Sequence, residues 1–290
     1  MIIDAHVHLW KKQAGWIDGQ PVYPLSGGRS MLAGEVRQML PPYMTDGRNT
    51  ASKLLSNMDF AQVSGAVVTQ EYMDGSQDAY LRRVRRDHGD RIRVCALYEE
   101  KGPVDTRGMD GIKLCGGRLA DTDLTHHADI FAQAEREDKF IGIDMLEGDG
   151  QVASLREMLQ QHPKLRVAIG HFGMVTVDGW REQILLARHP NVRIESGGIT
   201  WLFNAEFYPY PSAVRAIAEA RDLVGIDKLM WGSDYPRTMT AITYRMSWDF
   251  LDRSDLLTPE EKRRFLGENA RSFYRFGALP EIAPIRHMAE

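Results

Sequence analysis

Positive charge is in short supply in this chain of 290 residues: 36 Lys and Arg stand against 40 Asp and Glu, a formal net charge of −4. No basic field exists to attract nucleic acid or an anionic membrane surface. No apolar run approaches the roughly 20 residues that a membrane-spanning helix needs. The start carries no cationic stretch followed by an apolar one, so no secretory signal is expected and a cytoplasmic protein is. Cysteine is scarce as well. Cys95 and Cys115 lie far apart in apolar segments with no CxxC spacing, which predicts reduced thiols rather than a disulfide or a cysteine zinc site. No GxGxxG or P-loop follows any strand-like run, which weakens the nucleotide-binding α/β folds.

The remainder is ordinary for a globular protein, 43% hydrophobic and 26% charged. The length is one that α/β barrels fill as one domain, here residues 1–290. Eight short apolar runs bounded by turn residues read as buried parallel strands: "MIIDAHVH" from Met1, "GAVVTQ" from Gly65, "RIRVCALY" from Arg91, "GIKLC" from Gly111, "KFIGIDM" from Lys139, "KLRVAIGH" from Lys164, "NVRIES" from Asn191 and "DKLMWGSD" from Asp227. Helical patterns fill the intervals; "TASKLLSNMDFAQVS" places Leu54, Leu55 and Met58 on one face, and "AYLRRVRRDHG" stops at a glycine. Thr258, Pro259 and Glu261 form a capping box at the head of a C-terminal helix packed through Phe265, Leu266 and Phe273. This alternation predicts a (β/α)8 TIM barrel, with a doubly wound open sheet as the runner-up. One segment breaks the rhythm. Lys11 to Asn49 is rich in Gly and Pro and carries Trp16, Tyr23, Arg29, Tyr43 and Arg48, which reads as a long loop: a lid over the site, or a surface packed on a neighbouring subunit.

Barrel enzymes gather their chemistry where strands meet the following loops. Those ends carry His6 and His8, Lys113 with Arg118 beyond it, Asp144 with Glu147 beyond it, His171, Glu195 with Ser196, and Asp234. His6 and His8 stand two apart, so on a strand both face one side, where two imidazoles can hold one metal ion at about 2.0–2.1 Å. Asp234 is an ionised carboxylate suited to ligate a metal and to take a proton from water; the plain alternative is a helix N-cap or an arginine partner. His171 is a ligand or, as the preferred reading, a proton shuttle or a donor to a substrate carbonyl. Lys113, if inward, suits a substrate carboxylate or carbonyl oxygen, and Arg118 can clamp an acid group bidentately. Glu195 and Ser196 read mainly as core hydrogen-bonding groups. His88, His162 and His189 sit near helix ends, and His126 and His127 read as surface residues.

Taken together, "DAHVHLW", "IGHFG", "LMWGSDYP" and the late "ENARSFY" helix resemble the amidohydrolase superfamily, and within it the amidohydrolase-2 branch of lactonases and decarboxylases. The resemblance spans essentially the whole chain. It implies a (β/α)8 barrel with its site at the C-terminal mouth, His6 and His8 as the metal pair, His171 as the sixth-strand histidine and Asp234 as the eighth-strand aspartate. The chain departs from the family pattern at the fifth strand, where "IGIDMLEG" puts Asp144 in place of a histidine. An oxygen ligand there gives the centre a harder character, or the metal is absent, as in some lactonases of the branch. The expected ligand set is therefore His6, His8, Asp234 and Asp144 around one divalent ion, zinc first and manganese second, with a metal-free variant left open.

The expected reaction is hydrolysis of a small carboxylated lactone, with Asp234 as general base and His171, Lys113 and Arg118 stabilising the oxyanion or holding the carboxylate. A metal-dependent non-oxidative decarboxylase and a catalytically silent scaffold are the alternatives. The expected partner is a small molecule, with homo-oligomerisation left open.

Overall fold

The first strand must do two things that a regular strand cannot combine. β1 (Ile3–His8) is buried along its whole length. Ile3 and Ala5 pack into the floor of a barrel, yet His6 and His8 also point inward at the opposite end. A period of two forbids this for neighbours 5 and 6. The ladder to the next strand resolves the conflict with a register shift between Asp4 and Val7, the irregularity of a β-bulge.

The computed structural model describes residues 1–286 and residue 288. After β1 come β2 (Gly65–Thr69), β3 (Ile92–Leu97), β4 (Gly111–Leu114), β5 (Phe140–Ile143), β6 (Arg166–Ile169), β7 (Val192–Glu195) and β8 (Leu229–Met230). All eight predicted runs contain a strand, and they join in sequence order as one parallel sheet. The sheet closes on itself. Ala5 N–H donates to Trp231 O at 2.9 Å, Asp234 N–H to His6 O at 3.0 Å and His8 N–H to Tyr235 O at 2.8 Å. The fold is a (β/α)8 barrel and not an open sheet.

Helices α1 (Ala51–Ala61), α2 (Asp78–His88), α3 (Ala128–Arg136), α4 (Val152–Gln161), α5 (Trp180–Leu185) and α6 (Pro211–Val224) cover the barrel. α1 buries Ala51, Leu54, Met58 and Ala61, a three-and-four spacing that keeps one apolar stripe on the sheet. The barrel floor is filled by Phe140, over which Gly111 leaves room: a Cβ at 111 would lie 2.6 Å from the Phe140 ring. Phe273, Tyr274 and Phe276 of the C-terminal segment pack on it from below.

That segment differs from the single helix expected. Its capping box is as read, with Glu261 N–H donating to Thr258 Oγ1 at 3.2 Å and Thr258 N–H to Glu261 Oε2 at 2.8 Å. A π-helical turn, Arg264–Glu268, then interrupts it. The widened turn lets Gly267 lie against Met1 O and leaves Phe265 O free to accept from Trp231 N–H at 2.9 Å.

The segment after β1 also departs from expectation: it is folded, not a plain loop. Trp16–Ile17 pairs with Gln20–Pro21, and Tyr23–Pro24, Arg29–Leu32 and Glu35–Gln38 form a three-stranded antiparallel sheet. Two of the three hairpins turn on two residues, both of positive φ, Asp18 (+49°) with Gly19 (+73°) and Ala33 (+49°) with Gly34 (+80°), the primed turns that match strand twist. The strands are too short and too polar to show alternation. Trp10 and Asn49 exchange backbone hydrogen bonds of 2.8 and 3.0 Å and pin the base of this excursion.

Cys95 and Cys115 are free and buried, as expected. His127 corrects the surface reading: the 3₁₀ turn Leu124–His127 rolls its ring inward, where Nδ1 meets Tyr98 OH at 2.9 Å and Nε2 meets Asp121 O at 2.8 Å. Among the described residues, no helix is long and apolar enough to cross a membrane.

Phe140→Ala empties the floor and is expected to cost about 3–5 kcal/mol of unfolding free energy, read from the denaturant midpoint.

Candidate active site

At the C-terminal mouth, His6 is held from below by Glu195 at the end of β7, with Nδ1 2.7 Å from Oε1. Glycines make this approach possible. A Cβ at 170 would lie 2.7 Å from Glu195 Oε1, and one at 232 would lie 2.6 Å from Glu195 Oε2. With Nδ1 engaged, His6 Nε2 faces His8 Nε2 at 3.1 Å. His8 Nε2 in turn lies 2.9 Å from Asp234 Oδ1 and 3.6 Å from Glu71 Oε1. Trp201 Nε1–H donates to Asp234 Oδ2 at 3.2 Å. Beneath the centre Asp4 staples β1 to the loop after β8. Its Oδ1 accepts from His6 N–H at 3.1 Å and Ser233 N–H at 2.9 Å, and its Oδ2 accepts from Tyr244 OH at 2.7 Å.

On the other side of His6 stands His171, its ring centroid 4.7 Å away. Its Nδ1–H donates to Gly197 O at 2.9 Å, and Nε2 faces Asp144 Oδ2 at 3.5 Å. Lys113 Nζ lies 2.5 Å from Asp144 Oδ1. His171 (φ +55°) and Asp234 (φ +61°) both adopt the left-handed conformation, at a cost of roughly 1–3 kcal/mol each that the surrounding hydrogen bonds sustain.

Opposing charges set the protonation of these groups. Burial alone would raise Asp144, but the Lys113 ammonium and the His171 ring hold its carboxyl well below the usual range. Burial alone would lower His171, and Asp144 overrides it, pushing the imidazole up to about 10. Asp234 is likewise held below the usual carboxylate range against its burial, through the His8 hydrogen bond and the Arg237 guanidinium. Burial and Arg237 together lower His8.

The donor set fits a divalent cation. His6, His8, Glu71 and Asp234 each offer one atom within 4.8 Å of the others. Tetrahedral ligands about 2.0–2.1 Å from one centre stand roughly 3.3 Å apart. Of the six separations among these donors, four are 3.1, 2.9, 3.6 and 3.9 Å, scattered around that length, and all lie within 4.8 Å. His8 Nδ1 is buried without a hydrogen bond, 3.8 Å from Asp74 Oδ2. A proton moved there would find a carboxylate partner and free Nε2 for a metal. The centre is also rich in carboxyl groups: among the described residues Glu71, Asp74, Asp144, Glu195 and Asp234 face Lys113, His171 and Arg237 as cations.

The structure brings His6, His8, His171, Asp144 and Asp234 to one mouth. Asp144 does not share a donor group with His8 and Asp234; it groups with His6, Glu71 and His171 instead. Lys113 faces inward but is 1% exposed and bound to Asp144, so a ligand in the cavity does not reach it first. Arg118 lines the cavity, half-exposed, with Nη1 3.5 Å from Asp18 Oδ1 of the excursion. Glu147 lines the outer wall, and Ser196 is buried against the backbone of Gly232. The cavity measures about 930 Å³ and is bounded by Ala14 to Gly19, Glu71, Asp144 and His171. Sequence reasoning missed Glu71, Asp74 and Arg237. Glu71 directly follows the second strand-like run, whose end held a signal that was passed over, and Arg237 follows Asp234 by three positions.

A barrel whose mouth joins histidines from two strands to carboxylates from others defines a class of small-molecule hydrolases and their relatives. The chain belongs to the amidohydrolase-2 family, whose model matches residues 3–276. It is 28% identical over 149 residues to the L-fucono-1,5-lactonase of Burkholderia ambifaria, a match covering 47% of this chain and 50% of that protein. The match therefore spans about half the length of the curated relative. Among solved structures, a probable 2-pyrone-4,6-dicarboxylic acid hydrolase of Acinetobacter baumannii with citric acid bound superposes with a TM-score of 0.71 at 17% identity, covering 95% of this chain and 99% of the other. An amidohydrolase of Burkholderia multivorans with bound zinc gives 0.66 at 18% identity, covering 97% and 100%.

Glu195→Gln keeps the shape of the side chain and removes the charge that orients His6. Metal affinity is expected to fall about 10–100-fold, read as metal retained per protein after dialysis against graded chelator.

Proposed function

We propose that this protein hydrolyses the ring ester of a small carboxylated lactone. The observation that carries the reading is the placing of an ionised carboxylate, Asp234, and a protonated imidazole, His171, on either side of His6 at the C-terminal end of the barrel, where His171 and Asp144 form part of the cavity wall. Asp234 takes a proton from water as the water oxygen attacks the lactone carbonyl. His171 donates its Nε2 proton to the ring oxygen as the acyl–oxygen bond breaks, and the product is a hydroxy acid. Asp144 keeps His171 protonated, and Lys113 keeps Asp144 ionised. Arg118, a cation on the cavity wall, meets the substrate carboxylate. A zinc ion held by His6, His8, Glu71 and Asp234 would supply Lewis acidity and a more acidic water.

Support comes from the likeness to L-fucono-1,5-lactonase and from a cavity of a size that holds a small acid. The excursion, whose residues 14–19 form one wall, acts as the specificity lid in this reading.

Two measurements test the chemistry. Asp234→Asn is expected to lower kcat on sugar lactones or 2-pyrone-4,6-dicarboxylate at least about 10³-fold with unchanged circular dichroism. Release of carbon dioxide without acid release from carboxylated substrates would redirect the assignment to decarboxylation, and no turnover of either kind would favour a silent scaffold. The raised pKa of His171 sets the direction of the pH dependence: kcat/KM holds through neutral pH and declines as pH climbs toward about 10, where the imidazole loses its proton. Asp144→Asn removes the charge that sustains that proton and moves the decline to lower pH, read from the pH–rate profile.

A further inference from the structure

Arg237 carries a guanidinium whose bonding is incomplete. Its Nη2 donates to Asp74 Oδ2 at 2.8 Å. Asp74 is fixed in turn by Gln13 Nε2–H at 2.9 Å, and Gln13 Oε1 accepts from Ser30 Oγ–H of the excursion at 2.6 Å. One edge of the guanidinium is therefore pinned. Nε and Nη1 are buried and make no hydrogen bond. Nη1 stands 3.5 Å from Glu71 Oε1 and 3.5 Å from Asp234 Oδ1, beyond good hydrogen-bond distance from either and equally placed between them.

Those two oxygens are the acidic half of the donor set formed with His6 and His8. A divalent ion bound there would share them with a positive charge that, being a guanidinium, does not yield by losing its proton. When no ion is bound, the same charge sits between one buried carboxylate, Asp234, and one partly buried carboxylate, Glu71, that need it. We propose that Arg237 is a built-in counter-cation for Glu71 and Asp234: it stabilises the metal-free centre and weakens the hold on a divalent ion, so that the ion exchanges. The inference rests on the metal-binding reading of the centre and is independent of which lactone, or whether any lactone, is the substrate. Through Asp74, Gln13 and Ser30 it also ties the excursion to the centre, since the strand Arg29–Leu32 helps hold the guanidinium in place.

Zinc titration against a chromophoric chelator and thermal melting with and without EDTA test this on wild type, Arg237→Gln and Arg237→Lys. The glutamine variant is expected to bind zinc about tenfold more tightly or better, because a charge a few ångströms from the ion is removed. Its melting temperature falls in EDTA and recovers with zinc, while the lysine variant stays within about threefold of wild-type affinity. Glutamine binding zinc no more tightly than wild type, or lysine behaving as glutamine does, overturns the proposal. Wild type supplies an arm that no misfolded variant can obscure. Its melting temperature should change by only about 2–3 °C on chelation, and a fall of more than about 10 °C shows a centre that depends on its metal and sinks the idea. None of these readouts uses turnover, so they stand or fall apart from the lactonase reading.

Discussion

The site depends on the seam where the last strand of the barrel meets the first. His8 and Asp234 are 226 residues apart in sequence and 2.9 Å apart in space. The backbone hydrogen bonds across the seam produce that approach, above all Asp234 N–H to His6 O. Asp4 reinforces them from beneath by accepting from both sides of the seam at once. Burial pushes the Asp4 carboxyl up to about 6 despite four donated hydrogen bonds, so the chain retains a group that is costly to keep charged at the point where closure is decided. Without that seam the paired imidazoles would face an empty mouth.

The second organising constraint is charge. Carboxyl groups outnumber cations around His6, and the shortest pairings are specific: Lys113 and His171 both face Asp144, and Arg237 is bonded to Asp74. The pairing gives two chemically similar aspartates different surroundings. Asp144 faces the Lys113 ammonium and the His171 ring, while Asp234 turns one oxygen to His8 and the other to the indole of Trp201. A low-dielectric setting makes each pairing consequential, because an unmatched charge there is costly.

Much of this was legible in the sequence. The eight apolar runs carried the barrel because parallel strands covered on both faces must be apolar throughout, and that pattern survives without any alignment. His6, His8, His171 and Asp234 were visible as polar residues ending apolar runs. The rest was hidden for physical reasons. The bulge in β1 leaves no mark on "MIIDAHVH", since it changes direction and not composition. Glu195 looked like a core residue because it is one; only the tertiary contact with His6 gives it a part in the centre. Asp74 and Arg237 sit in short turns with no periodicity, and their relation exists only once β2 and β8 are neighbours of β1. In the excursion, "DG" at Asp18 and Gly19 was a readable hairpin signal, but strands of two to four residues give the alternation no room to show.

The aromatic floor has a consequence for substitutions above it. Phe140, Phe273, Tyr274 and Phe276 fill the lower end, so the cavity lies on the upper side, with Trp16 and Arg118 on its wall. Substitutions in the short Trp16–Ile17 strand therefore change the wall that a small molecule in the cavity meets, without touching the barrel core beneath it.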